Sequence, residues 1–421
     1  MVDRDKRVAG PAAGMLRADG TGAPSRPVRI ALTGGGTGGH IYPALAIGEA
    51  ARRRLGAADL LFIGARGGME ARIVPEHGVR FVGLPVRGLV RKAPLEVVGA
   101  LGSLGQSTAQ AVALVRRFRP HIVVATGGYA GGPVGLAAVL LRVPLLLQEQ
   151  NAIPGVTNRF LARFAAAVAV PFAETAHYLP AGCPVLVAGN PVRPEIRGVA
   201  REAARRRMGL PAAGPVVLCV AGSRGSAAFV RLLREWLPYL QAGTLVFVSG
   251  EAHRAAAEAV LAGYRPPSGA AVVCLPYVER MGDALAAADL VVCRAGGMLW
   301  ELAAVGRPAV LVPSPHVTHH HQEANALVWS RAGAGVVLPE AEVDGRRLAE
   351  TVHELLAHPE RLRAMGAAAS TLGAGDALGT IVGRLVAIVE GGAAGRRPGP
   401  APGPGPRRGA GGGSGRSVAA P

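Results

Sequence analysis

The 421-residue chain is 50% hydrophobic and carries 46 Lys and Arg against 28 Asp and Glu, a formal charge of +18. That length is a prior for two domains, each able to bury a core, and the hydrophobicity excludes a wholly disordered protein. The charge suggests an anionic partner, yet aromatics are only 4% and no nucleic-acid-binding signature appears, so no nucleic acid partner is expected.

Residues 1–27 mix five basic and three acidic groups without periodicity, and residues 391–421 hold five Arg, no acid, 11 Gly and 6 Pro. Both read as disordered tails, which leaves +11 on residues 28–390. Between them apolar runs alternate with helical stretches. VRIALT (28–33), DLLFIG (59–64), HIVVAT (121–126), PLLLQ (144–148) and PVLVAG (184–189) read as buried parallel strands, separated by helices such as Tyr42–Leu55 and Leu95–Phe118. The series restarts with PVVLCVAG (215–222), GTLVFVSG (243–250), AVVCLP (271–276), ADLVVC (288–293) and PAVLVP (308–313), with helices at Ser226–Leu240 and Gln322–Ala332. Two such series predict an α/β protein of two Rossmann-like, doubly wound domains, joined near GNPVRPE (189–195).

The four cysteines, Cys183, Cys219, Cys274 and Cys293, have no metal-ligand spacing, and the apolar runs around Cys219 and Cys274 mark reduced core thiols. No signal peptide and no run of about 18 uninterrupted apolar residues is evident, so a cytoplasmic protein, at most peripheral to a membrane, is expected.

Each series opens with a strand, a Gly-rich turn and a helix, the turn being TGGGTGGH (33–40) in the first and AGSRGS (221–226) in the second. GGGTGGHIYPALA (34–46) and ATGGYAGGPVGLAA (125–138) are both of this kind, and their glycines let the backbone approach a ligand while helix N-terminal amides face anionic oxygens. Neither is a Walker A motif, because no GK[ST] follows. Both loops, with QEQNAIPGVTNR (148–159), are expected at strand carboxyl ends around one crevice. His40 closes the first loop, and an imidazole there suits proton abstraction near neutral pH; a helix-capping role is the alternative.

GGGTGGHIYPALA, GGYAGGPVGLAA, EQNAIPGVTNR, GNPVR and HQEANA, in this order, resemble the bacterial peptidoglycan glycosyltransferases of GT-B fold that make lipid II, the undecaprenyldiphospho-muramoylpentapeptide β-N-acetylglucosaminyltransferases. The resemblance spans residues 28–390. It implies an acceptor- and membrane-facing domain over 28–193, a UDP-sugar domain over 194–372, and a last helix (373–390) crossing back to the first domain. It implies that Thr37, Gly38 and Gly39 lie against the donor sugar and diphosphate, with Asn151, Arg193 and Ser223 also in the donor site. Val278 would flank the uracil, Glu301 the ribose, and Gln322 and Asn325 the sugar. The implied reaction is inverting transfer of GlcNAc from UDP-GlcNAc to the muramoyl C4 hydroxyl of lipid I, with His40 as base.

One departure is RAGGMLWELAAVG (294–306), where the family has R-(A/S)-G-A-x-T-x-x-E, one residue longer. A deletion at a helix start turns the rest of that helix by about 100° unless Gly296 and Gly297 absorb it. A metal is not expected: the sole D-x-D is Asp3–Asp5, and the consecutive His319, His320 and His321 cannot all face one ion. No cofactor is expected either. RGLVRKAPLEVVGAL (87–101) sets basic residues beside Leu89, Val90, Leu95 and Leu101, a pattern suited to the cytoplasmic face of an anionic membrane. A GT-B transferase with another acceptor, a nucleotide-sugar epimerase using crevice carboxylates such as Glu149 and Glu301, and a degenerate sugar-nucleotide-binding protein are the alternatives.

Overall fold

The computed structural model describes residues 27–86, 94–222, 225–317 and 320–391, with side chains described outside 94–102. The expected tails, apart from residues 27 and 391, lie outside the described residues, as do Leu89, Val90 and Ser223.

The first parallel sheet contains β1 (Val28–Thr33), β2 (Ala58–Ala65), β3 (Arg80–Leu84), β4 (Ile122–Ala125), β5 (Leu145–Gln148), β6 (Ala167–Val170) and β7 (Val185–Val187). Its order is β3-β2-β1-β4-β5-β6-β7. The second contains β8 (Val216–Val220), β9 (Gly243–Val248), β10 (Ala270–Leu275), β11 (Leu290–Cys293), β12 (Ala309–Leu311) and β13 (Gly335–Val337), ordered β10-β9-β8-β11-β12-β13. Strand order reverses between β1 and β4 in one sheet and between β8 and β11 in the other, which is where open α/β sheets form a crevice.

Helices α1 (Gly38–Leu55), α2 (Glu70–Glu76), α3 (Pro94–Phe118), α4 (Gly128–Leu140) and α5 (Val156–Leu161) accompany the first sheet. The second carries α6 (Arg201–Arg207), α7 (Ala227–Trp236), α8 (Arg254–Leu261), α9 (Met281–Ala287), α10 (Met298–Val305), α11 (His321–Arg331) and α12 (Gly345–Ala357). The chain continues through α13 (Pro359–Leu372) and α14 (Ala377–Gly391). Leu95 and Leu101 fall on α3.

Strand alternation sorts the core into layers. Ile30 and Leu32 face one side of the first sheet, packed with Ile41, Ala44 and Ile47 of α1 and with Ile381, Val382 and Leu385 of α14. Ala31 faces the other, against Val134, Ala137 and Ala138 of α4. Helix α14 therefore returns from the second sheet to cover the first. In the second sheet Val216, Leu218 and Val220 share a cluster with Trp300 and Trp329, and two residues of the first half, Ala152 and Phe172, enter that cluster.

Burial pushes the thiols of Cys219 and Cys293 upward, the latter to about 12, consistent with core cysteines rather than reactive ones. One stretch among the described residues, Pro359–Gly391, is long and apolar enough to cross a membrane by length and composition alone. It is two helices separated at Gly373–Asp376, and the second lies against α1.

Candidate active site

A cleft of about 2070 Å³ is lined by the loops that leave β1, β4, β5, β8 and β11. The two Gly-rich loops of the first half meet closely. A Cβ on Gly128, whose φ is +73°, would stand 2.1 Å from the Gly35 carbonyl oxygen, so only glycine fits there. Thr37 caps α1 in an extended conformation without a side-chain capping bond, and Thr37, Gly38 and Gly39 all line the cleft. Below this loop lies Glu70, fully buried, accepting from the backbone amides of Ala65 (3.0 Å) and Gly36 (3.4 Å).

His40 lines the cleft, and its Nδ1 is 2.8 Å from the Thr126 carbonyl oxygen. A carbonyl can only accept, so Nδ1 carries the proton and the neutral ring keeps its lone pair on Nε2. Thr126 grips the residue twice, because its hydroxyl also donates to the His40 carbonyl at 2.7 Å. The Thr126 carbonyl accepts a second bond from Gln150 Nε2 (2.8 Å), and Asn190 ties that segment to the joint: Gln148 Nε2 donates to Asn190 Oδ1 (2.7 Å) and Asn190 Nδ2 to the Gln150 carbonyl (2.9 Å).

Glu149 is only 2% exposed and accepts five hydrogen bonds, from the amides of Gln150, Asn151 and Gly155 and from the side chains of Asn151 and Asn158. Both oxygens are committed to shaping the loop, which leaves it poorly placed for the acid–base work an epimerase would ask of it. Asn151 lines the cleft. Asn325 does not; it is buried behind Asn151, accepts from the Ala152 amide (2.8 Å) and donates to Asn151 Oδ1 (3.2 Å) and the Ala295 carbonyl (3.0 Å). Its side chain joins the two halves of the molecule.

Arg193, Val278, Glu301 and Gln322 line the same cleft. Arg193 Nη2 donates to Glu301 Oε1 at 3.0 Å, and its guanidinium stands 5.9 Å from the centre of the Tyr42 ring. Burial raises the Glu301 pKa above the usual carboxylate range, with the Arg193 charge and hydrogen bond pulling against it. For Arg193, burial opposes the charged form, but Glu301 outweighs it and the net direction is upward. The shortened 294–301 segment thus leaves Glu301 in the cleft, in the first turn of a helix capped by Gly297. Trp300, one residue earlier, turns inward onto Phe172, ring centroids 5.0 Å apart. Gln322 Oε1 accepts from the Ser314 amide at 2.8 Å.

Several residues in or beneath the cleft escape a reading of the sequence. Thr126 and Glu70 matter through contacts 86 and 34 residues distant in the chain, a relation no local pattern carries. Arg294 lines the cleft, holds Ser226 Oγ (3.0 Å), pairs with Glu340 and packs over Phe229. Its position directly after a buried strand is the available signal. Among the described residues no group of three or more His, Cys, Asp or Glu is gathered as a metal would require.

The model of the glycosyltransferase family 28 N-terminal domain matches residues 30–170, and that of the family 28 C-terminal domain matches residues 216–381. The chain belongs to glycosyltransferase family 28. Among family relatives, a protein of Desulforudis audaxviator is 42% identical over 364 residues, covering 84% of this chain and 97% of the relative. One of Moorella thermoacetica is 43% identical over 375 residues, covering 87% and 100%. Both are named UDP-N-acetylglucosamine--N-acetylmuramyl-(pentapeptide) pyrophosphoryl-undecaprenol N-acetylglucosamine transferase. The crystal structure of Acinetobacter baumannii MurG superposes with a TM-score of 0.69 at 28% identity, over 85% of this chain and 99% of that one. A Listeria monocytogenes protein described as a UDP-N-acetylglucosamine 2-epimerase shares the fold at a TM-score of 0.62 but only 13% identity, over 89% of this chain and 99% of that one. The family 28 chain is thus a glycosyltransferase with the GT-B arrangement of two facing doubly wound sheets.

Proposed function

We propose that this chain transfers N-acetylglucosamine from UDP-N-acetylglucosamine to the C4 hydroxyl of the muramoyl-pentapeptide of undecaprenyl-diphosphate-linked lipid I, giving lipid II. Family membership and the names of its relatives support the substrates. The observation that carries the chemistry is the 2.8 Å contact from His40 Nδ1 to the Thr126 carbonyl, which leaves Nε2 as the basic nitrogen. The acceptor C4 oxygen attacks the sugar anomeric carbon as its proton passes to His40 Nε2. The bond to UDP breaks on the opposite face, and configuration inverts.

Thr37, Gly38 and Gly39 would meet the donor sugar and diphosphate with loop amides, and Asn151, Arg193 and Ser223 would complete that site. Val278 would flank the uracil, Gln322 would address the sugar, and Glu301 would accept from the ribose hydroxyls after parting from Arg193. Asn325 would act by holding Asn151. On sequence alone, residues 87–101 with Leu89, Val90, Leu95 and Leu101 are proposed to hold the enzyme peripherally on the cytoplasmic face of the cell membrane.

The deciding experiment is conversion of lipid I to lipid II with UDP-N-acetylglucosamine against other UDP-sugars. Transfer confined to UDP-N-acetylglucosamine and dependent on the lipid-linked acceptor is expected. Activity on a soluble sugar acceptor alone, or 2-epimerisation without transfer, would overturn the reading.

A further inference from the structure

The cleft does not end at the Gly-rich loops. Its lining takes in much of α4, from Gly128 to Leu136, together with Leu104 of α3 and Val156 and Phe160 of α5. Leu104, Val156 and Phe160 are 39%, 64% and 50% exposed. Large apolar side chains exposed singly need no explanation, but several gathered in the wall of one cleft mark a binding surface. The lining that α3, α4 and α5 contribute contains no charged side chain among the described residues.

The fold holds this arm in place. A Cβ on Gly135 would stand 2.4 Å from Leu161 Cδ1, so α5 packs directly on α4 and carries Val156 and Phe160 beside it. At the near end, Gly127 begins α4 at φ +98° without a side-chain cap, and its loop touches the first Gly-rich loop and His40. The arm therefore starts at amides suited to phosphate oxygens and continues into hydrocarbon. From Gly128 to Leu136 is about 12 Å along the helix.

We propose that this arm is a subsite for the first prenyl units of the acceptor, the diphosphate lying at the start of α4 and the chain running past Leu136 between Leu104, Val156 and Phe160. The proposal rests on the lipid-linked acceptor assigned above and names where the enzyme tells a prenyl diphosphate from any other. The reach of the groove limits recognition to the units nearest the diphosphate. Longer chains gain nothing further inside the protein.

The test uses muramoyl-pentapeptide diphosphates esterified to methyl, two-unit, four-unit and eleven-unit prenyl groups, assayed in detergent with UDP-N-acetylglucosamine. In the native enzyme the acceptor KM falls from methyl to the short prenyl esters and then levels off. The Val156→Ser/Phe160→Ser enzyme loses that gain, its KM for prenyl esters rising roughly 10-fold while the methyl ester and the donor keep theirs. Leu140→Ser, on the same helix as Leu136 but outside the cleft, keeps the full gain. Equal losses on methyl and prenyl esters would overturn the proposal. So would an unchanged chain-length profile accompanied by weaker binding to anionic phospholipid vesicles, which would assign these side chains to a membrane surface instead. No transfer to any acceptor by the native enzyme would overturn the activity, not the subsite.

Discussion

Arg193 and Glu301 face each other across the cleft at 3.0 Å, the guanidinium on the segment after β7 and the carboxylate in the first turn of α10. If Glu301 accepts from the donor ribose, as proposed, donor binding exchanges its hydrogen bond from Arg193 for new ones. Replacing Arg193 by Ala removes the influences that lower the Glu301 pKa and leaves burial, which raises it, unopposed. The KM for UDP-N-acetylglucosamine is expected to rise as pH falls through the Glu301 pKa, and Arg193→Ala moves that rise to higher pH. A donor KM profile that is the same in both enzymes would refute the coupling.

His40→Ala removes the group that would take the acceptor proton. The kcat is expected to fall roughly 10²-fold or more, as loss of a general base does, with the donor KM held. Steady-state kinetics at saturating acceptor measure this directly, and an unchanged kcat would reduce His40 to a brace of the loop.

Trp300 is 6% exposed and lies on Phe172, the contact by which the shortened segment is anchored to the other half of the molecule. Trp300→Ala should cost about 3–5 kcal/mol in urea unfolding, the range for an emptied aromatic site. It should also raise the donor KM at temperatures where the variant remains folded, since Glu301 is the next residue. Lost stability with the donor KM unchanged would separate the seam from the site.

Asp283, 5% exposed on its side chain, receives Arg207 through two nitrogens and Arg280 Nε at 3.0 Å. The Arg207 hydrogen bond, with both Arg charges and against burial, holds its pKa below the ordinary carboxylate value. A depressed carboxylate stabilises the fold fully above its unfolded pKa and loses that contribution as pH falls through the folded one. Asp283→Asn should lower stability by about 1–2 kcal/mol at neutral pH and flatten the acid limb of a pH series of urea midpoints. An acid limb as steep as that of the native protein would exclude Asp283 as its source.

Much of the fold is legible in the sequence because buried parallel strands leave apolar runs: Val28–Thr33 and Gly243–Val248 stand out almost to the residue. The strands that escape are short or diluted, as Arg80–Leu84 is by Arg80 and Gly83, and Gly335–Val337 by its length. The Gly-rich loops are equally visible, since glycine in series has few other uses at a strand end. What holds the loops is not. Glu70 under Gly36, Thr126 around His40 and Asn325 behind Asn151 are polar residues whose meaning lies entirely in partners far along the chain. The helix-start deletion before Glu301 leaves the direction of its side chain open in the sequence; in the structure Glu301 lines the cleft and Trp300 lies on Phe172.

The return of α14 onto α1 bears on how the molecule is made. Synthesis runs from the amino end, and the strands of the first sheet are all made once Val187 has been added, yet Ile381, Val382 and Leu385 join its outer layer only after the whole second sheet has followed. For roughly 200 residues of elongation, the nascent first half waits with an uncovered oily stripe on α1. Helix α14 is therefore the closing stitch, and a chain stopped short of it would be left with that sticky seam open.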